Sequence, residues 1–118
     1  MVTLDQIAKA AWQRESLKLR SLVQDYLREN EDLSSARPPA TDDQDLLTTA
    51  AALLELLAAR RNQLPPAWTQ AVGPLAEPFY MVGAAGSMPR LRRLCETESP
   101  EPLRWRKLYA PPNFLTFV

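Results

Sequence analysis

Apolar residues recur at Leu4, Ile7, Ala8, Ala11, Leu19, Leu22, Val23 and Tyr26. This is the i, i+3, i+4, i+7 spacing of one helical face. Thr3 precedes the stripe with Gln6 three residues on, the signature of a capping box. The pattern predicts a first helix from residue 3 to about residue 30, about 40 Å long at 1.5 Å per residue. Glu15 and Ser16 interrupt its stripe midway. A second, wider stripe runs through Leu46, Leu47, Ala50, Leu53, Leu54, Leu57 and Ala58. Thr41 with Gln44 repeats the capping spacing, and Asp42, Asp43 and Asp45 fall where negative charge favours a helix start. Arg60 and Arg61 suit the other end, and Leu64-Pro65-Pro66 stops it. The two long helices are expected to pair as an antiparallel hairpin.

Proline then changes the texture. Pro38 and Pro39 are the only prolines among the first 64 residues, and the other nine of 11 follow. The second half is therefore expected as short pieces, because proline inside a helix removes a hydrogen bond and clashes with the preceding turn. Pro66 can open a short helix through Trp68, Ala71 and Val72. Phe79-Tyr80-Met81-Val82 reads as a buried loop or a short strand. Ser87 is expected to cap a helix to about Thr97 with Met88, Leu91 and Leu94 inward. Ser99 is expected to cap another to about Tyr109, with Pro100 at its first position, where proline is tolerated. Ala110 before Pro111 starts an extended tail. The fold class expected is all-α: one domain over residues 1–118. Residues 1–62 form a helical hairpin with a mobile acidic linker at about 30–41, and residues 63–118 a short-helix lobe and tail.

Composition narrows the function classes more than it names one. The chain has 118 residues, 46% hydrophobic and 24% charged, an ordinary globular balance. Its net charge is zero, so no whole-molecule field draws it to nucleic acid or anionic membrane. Residues 1–87, however, hold 11 acids against 8 bases, and residues 88–118 hold 6 bases against 3 acids. With no histidine and one cysteine, Cys95, Ser-His and Cys-His nucleophiles are excluded, as are His- or Cys-rich zinc sites. No phosphate-binding loop, dinucleotide fingerprint or calcium loop is present. No apolar run reaches the ~18 residues of a membrane span. The start lacks the basic-then-apolar layout of a signal peptide. A cytoplasmic protein without cofactor or metal is expected.

Candidate chemistry is concentrated late in the chain. Arg90, Arg92, Arg93, Arg104, Arg106 and Lys107 form a basic cluster, readable as a patch for an acidic partner or phosphate, or as a solvated face. Residues 88–109 also have the length of a helix-turn-helix, with Arg104, Arg106 or Lys107 available to a groove. Gly83-Ala-Ala-Gly-Ser87 reads as a tight connection or an anion-holding turn. Cys95 reads as a small buried residue. Glu15 and Glu55 intrude on the two apolar stripes; they read as solvated or arginine-paired, or as a carboxylate pair across the hairpin for a metal. Trp68, Phe79, Tyr80, Trp105, Tyr109, Phe114 and Phe117 crowd the second half. They make either its core or, with arginine, a partner-binding surface.

The run Glu77-Pro78-Phe79, then Leu91 and Leu94, then Ser99-Pro-x-Pro-Leu-Arg-x-Arg-Lys-Leu-Tyr109 and Pro112-Asn-Phe-Leu115 resembles small bacterial helical proteins. These look like the antitoxin-like companions of nucleotidyltransferase-type toxins. The resemblance covers about the last 45 residues and carries no catalytic residues. It implies a protein partner, a toxin enzyme, and inhibition as the activity. The function expected is thus non-enzymatic protein binding by an antitoxin or inhibitor, through Arg104, Trp105, Arg106, Tyr109, Phe114 and Phe117. Arg90, Arg92, Arg93 and Lys107 form an accessory anion or nucleic-acid patch. The alternative is a small helix-turn-helix-like DNA-binding regulator. Helix 2 is apolar enough to be shared in a homodimer.

Overall fold

In the computed structural model, which describes residues 1–116, the chain is mostly helical. Its centre is α3 (Gln44–Arg60), buried from Thr48 to Ala58 except for Glu55, which is half-buried. A helix apolar on nearly every side can persist only if it is surrounded. Here α1 (Leu4–Trp12), α4 (Ala67–Gln70), α6 (Glu101–Arg104) and a 3-10 turn at Leu33–Ser35 all pack on α3. Its N-cap is Asp43, whose carboxylate accepts from the amides of Asp45 and Leu46, rather than the expected Thr41. The Asp43 carboxylate serves two amides at once, while the Thr41 hydroxyl is taken by the amide of Asp43.

The expected long first helix is two helices. After α1 the chain turns at Arg14, whose φ is 55°, and resumes as α2 (Ser16–Glu29). The turn falls where the apolar stripe lapses: Gln13, Arg14, Glu15 and Ser16 give nothing to bury, and Leu17 is left 84% exposed. At the far end the Val2 amide donates to Glu29 Oε1 at 2.9 Å, so α1 and α2 form the antiparallel hairpin. Of the expected pairing between the first helix and the Gln44–Arg60 helix, α1 keeps its part: it packs on α3, and Trp12 at its end donates to the Thr49 hydroxyl near the start of α3 at 2.7 Å, while α2 folds back on α1 instead of continuing along α3. The capping box at Thr3 and Gln6 is present, both bonds made.

The segment expected as a mobile linker, residues 30–41, is tied to the core. Leu33 is fully buried. Gln63 clamps the segment from beyond the end of α3. Its side-chain carbonyl accepts from the Leu33 amide at 2.8 Å, and its amide donates to the Glu31 carbonyl at 2.9 Å. Trp68 Nε1 adds a bond to the Ala36 carbonyl at 2.8 Å.

Past α4 the chain is extended. Phe79–Tyr80 forms β1, paired in parallel with β2 (Leu108–Tyr109) in the register Phe79 with Leu108 and Tyr80 with Tyr109. The strand alternative for Phe79 and Tyr80 is therefore the one adopted. A second 3-10 turn, Gly83–Gly86, leads to α5 (Pro89–Glu98). Ser87 does not cap α5; the N-cap is Met88, more than half exposed, and Pro89 opens the helix. The helix expected over residues 99–109 is a single turn, α6. Ser99 is buried, its hydroxyl accepting from the Ala110 amide and donating back to the Cys95 carbonyl. A side chain folded inward cannot cap. Lys107 then takes a left-handed φ of 67° and turns the chain into β2. The tail continues to cover its own core: Ala110 and Leu115 are buried, Phe114 packs against the core, and Arg60 Nη1 donates to the Phe114 carbonyl.

Replacing the Gln63 clamp tests the anchoring of residues 30–41. Gln63→Ala loses two bonds and is expected to lower unfolding free energy by about 1–2 kcal/mol in urea titration. The Leu33 amide should exchange measurably faster by NMR, while amides of α3 keep their order of protection.

Candidate functional site

The residues expected to make one surface separate into buried and exposed sets. Arg106 has no exposure. Its guanidinium meets Glu55 on α3 in a fork, Nη1 to Oε1 at 2.5 Å and Nη2 to Oε2 at 3.2 Å. Nη2 also donates to the Thr69 carbonyl at 2.8 Å, Nε to the Val72 carbonyl at 3.3 Å, and Nη1 to the Pro102 carbonyl at 3.1 Å. Burying a guanidinium is costly unless its donors are matched, and here Nε, Nη1 and Nη2 all donate. Arg106 therefore cannot be part of a partner-binding surface. The Glu55 side chain keeps 15% exposure. It is the arginine-paired carboxylate of the two sequence readings, and Glu15 lies apart, exposed and beside Lys18 at 3.9 Å. Among the described residues no cluster of three or more acidic, histidine or cysteine side chains is placed to hold a metal.

Trp105 is the exposed counterpart. It is 47% exposed, and its ring centroid lies 4.2 Å from Cζ of Arg106. One aromatic face thus rests on a buried cation, a contact favourable by about 0.5–2 kcal/mol, while the remainder faces solvent. Arg104 is exposed too, and its Nη1 donates to the Thr97 carbonyl in the last turn of α5 at 3.0 Å. A cation there complements the helix dipole.

The other expected residues are placed as follows. Tyr109 is half-buried, its ring 5.4 Å from that of Tyr80. Phe114 is half-buried against the core and lines the cleft described below. Phe117 lies outside the described residues. Lys107 is half-buried, with its carbonyl accepting from the Phe79 amide at 2.9 Å. Arg90, Arg92 and Arg93 are all exposed on α5. Arg92 is engaged: Nε donates to Glu96 Oε2 at 3.4 Å, and its Cζ is 5.1 Å from the Tyr80 ring centroid. Tyr80 donates its hydroxyl to the same carboxylate. That bond holds the Glu96 carboxyl below its ordinary range and raises the Tyr80 phenol. Cys95 is buried, and desolvation raises its thiol, which makes it a poor nucleophile.

Two sequence readings lose their geometry. A helix-turn-helix needs a second helix long enough to lie in a groove, and α6 has four residues. The Gly83–Gly86 turn uses its own amides: Ala85 bonds to the Val82 carbonyl, and Ser87 and Met88 to that of Ala84. It is a tight connection.

One feature had no sequence signal. A cleft of about 380 Å³ opens between the α1–α2 turn and the tail, with Leu19, Met81 and Leu115 among its apolar lining and Arg14 and Arg20 among its polar lining. Arg14 is turned by its left-handed φ so that Nε reaches the Tyr80 carbonyl at 2.9 Å over the Phe79 ring. Nothing in the stripe pattern marks Arg14 as the corner residue. Among the described residues no helix is long and apolar enough to cross a membrane. No family model, curated protein or solved structure matches the chain.

The Arg106–Glu55 fork is testable by a double-mutant cycle in urea. Arg106→Met, which strands the carboxylate, and Glu55→Gln, which strands the guanidinium, are each expected to cost about 3–5 kcal/mol. The double variant should cost much less than their sum, because neither charge is then left unpaired. Additive losses would mean the fork does not form.

Proposed function

We propose that the protein is a non-enzymatic protein-binding module that acts as an inhibitor or antitoxin-like companion of a partner protein. The observation that carries this reading is Trp105, half exposed and stacked on the fully buried Arg106 guanidinium. Aromatic and arginine side chains dominate binding hot spots. A large side chain already held in one orientation loses less entropy on docking. Trp105 is held from beneath by a fully buried guanidinium, and Arg104 beside it is tied to the end of α5. The proposed contact set is thereby reduced from the six residues expected to Trp105 and Arg104, with Arg106 beneath the indole as a positioning residue rather than a contact. The absence of histidine and the burial of the single thiol favour binding over catalysis. Occlusion of the partner's active surface is the mechanism this arrangement suits.

The test is recovery from lysate of the native host with tagged protein. The wild type is expected to retain one stoichiometric partner, and Trp105→Ala to lose it while keeping the circular dichroism spectrum and losing no more stability in urea than the about 0.5–2 kcal/mol of its contact with Arg106. Equal recovery by Trp105→Ala would remove Trp105 as the anchor, and with it the support for this reading.

A further inference from the structure

The exposed arginines of α5 are not absorbed by the fold. Arg90, Arg93 and Thr97 stand at i, i+3 and i+7, one face of the helix. With Pro89, Leu94 and Glu98 they line a shallow groove. Among the described residues neither Arg90 nor Arg93 has an ion-pair partner within 4.0 Å, whereas Arg92 on the adjoining face is held by Glu96. Arg104 on α6 donates to the backbone carbonyl of Thr97, and the exposed Trp105 follows it in sequence. Arg90 to Thr97 spans about 10 Å of helix, with Arg104 bound at the Thr97 end. The helix itself is thinly attached: of its ten residues only Cys95 is buried, so most of its surface faces outward.

We infer that this face is a docking strip for a short acidic segment of a partner protein, its carboxylates on Arg90, Arg93 and Arg104 and an apolar side chain against Trp105. The inference rests on the protein-binding reading and adds the partner's chemistry to it. Charge complementarity selects the occupant. Arginine forks match carboxylates in pairs, and Leu94 supplies an apolar floor between them. Charge distribution also decides against a duplex. Affinity for DNA grows with the number of phosphates neutralised. This strip offers three cations on a molecule of zero net charge, few beside the phosphates a duplex presents. Glu98 at the end of the groove sets a limit on how far an acidic segment can extend.

The probe is a fluorescent peptide of about twelve residues with glutamates on one helical face and a central leucine, compared by anisotropy with its glutamine counterpart and with a duplex of equal charge. The glutamate peptide is expected to bind saturably at low salt and to weaken roughly tenfold in either of two settings: raised salt, or the variant Arg90→Glu with Arg93→Glu. The glutamine peptide should bind no better than that variant. Both arginines are exposed, so the variant should keep its urea midpoint; Arg93→Ala, a gentler change, should give an intermediate loss. Indifference of peptide binding to the reversal overturns the inference, as does tighter binding of the duplex. The two readings fail separately. Recovery of the native partner that survives the arginine reversal but not Trp105→Ala sinks the acidic strip alone, and recovery that survives both sinks the anchor as well.

Discussion

Arg106 is the point at which the two halves of the chain become one body. Its guanidinium touches Glu55 in the middle of α3, the carbonyls of Thr69 and Val72 at the end of α4, and the carbonyl of Pro102 in α6. Each of those carbonyls belongs to a short helix or its flank, and that of Thr69 also accepts from the Val72 amide. The proline-rich half cannot supply long ladders of backbone bonds, since 4 and 4 residues are all that α4 and α6 contain. One planar donor set with fixed geometry takes the place of that missing regularity. Its partner is necessarily a carboxylate, because a buried guanidinium stays charged at any ordinary pH. This explains why Glu55 interrupts an otherwise apolar helix.

The same residue fixes what stands around it. The Arg106 carbonyl accepts from the Leu75 amide at 3.0 Å, and the Lys107 carbonyl from the Phe79 amide. The extended segment leading to β1 is thereby aligned on the chain leaving α6. Trp105, one position before, is delivered to the surface with its inner face against the guanidinium. Position and rigidity of the exposed indole thus come from a buried pair about which the surface itself shows nothing. Ser99 performs a smaller version of the same work, closing α5 onto Ala110 with one hydroxyl.

Long-range pairing decides where the sequence was readable. The wide apolar stripe from Leu46 to Ala58 was legible because a helix buried on all sides leaves no other pattern. The capping box at Thr3 was legible because it is local. The lapse of the stripe at Glu15 and Ser16 was visible too, yet spacing alone cannot distinguish a polar interruption of one helix from a turn between two. Only the packing of α1 on α3, with the Val2 to Glu29 bond, makes the turn the better solution. Ser99 with Pro100 satisfied every local rule for a helix start. It was overruled by a tertiary demand, the unpaired Ala110 amide eleven residues later. The anchoring of residues 30–41 is hidden for a similar reason, since composition there is polar while the buried Leu33 is one residue and Gln63 and Trp68, outside the segment, supply the bonds.

The six basic residues after residue 88 illustrate the limit most sharply. In the sequence they form one cluster of like charge. In three dimensions Arg106 is consumed by the core, Arg92 is held by Glu96, and Lys107 turns the chain at a left-handed position. Arg90, Arg93 and Arg104 remain, the first two on one face of α5 and the third bound to the carbonyl of Thr97. Removing the structural members leaves three exposed guanidinium groups in place of six clustered cations. On the docking reading proposed above, a diffuse cluster would attract any polyanion, whereas three guanidinium groups with an exposed indole next in sequence would favour a short acidic segment that also carries an apolar side chain. On that reading, selectivity in this lobe depends on which arginines the core has already taken.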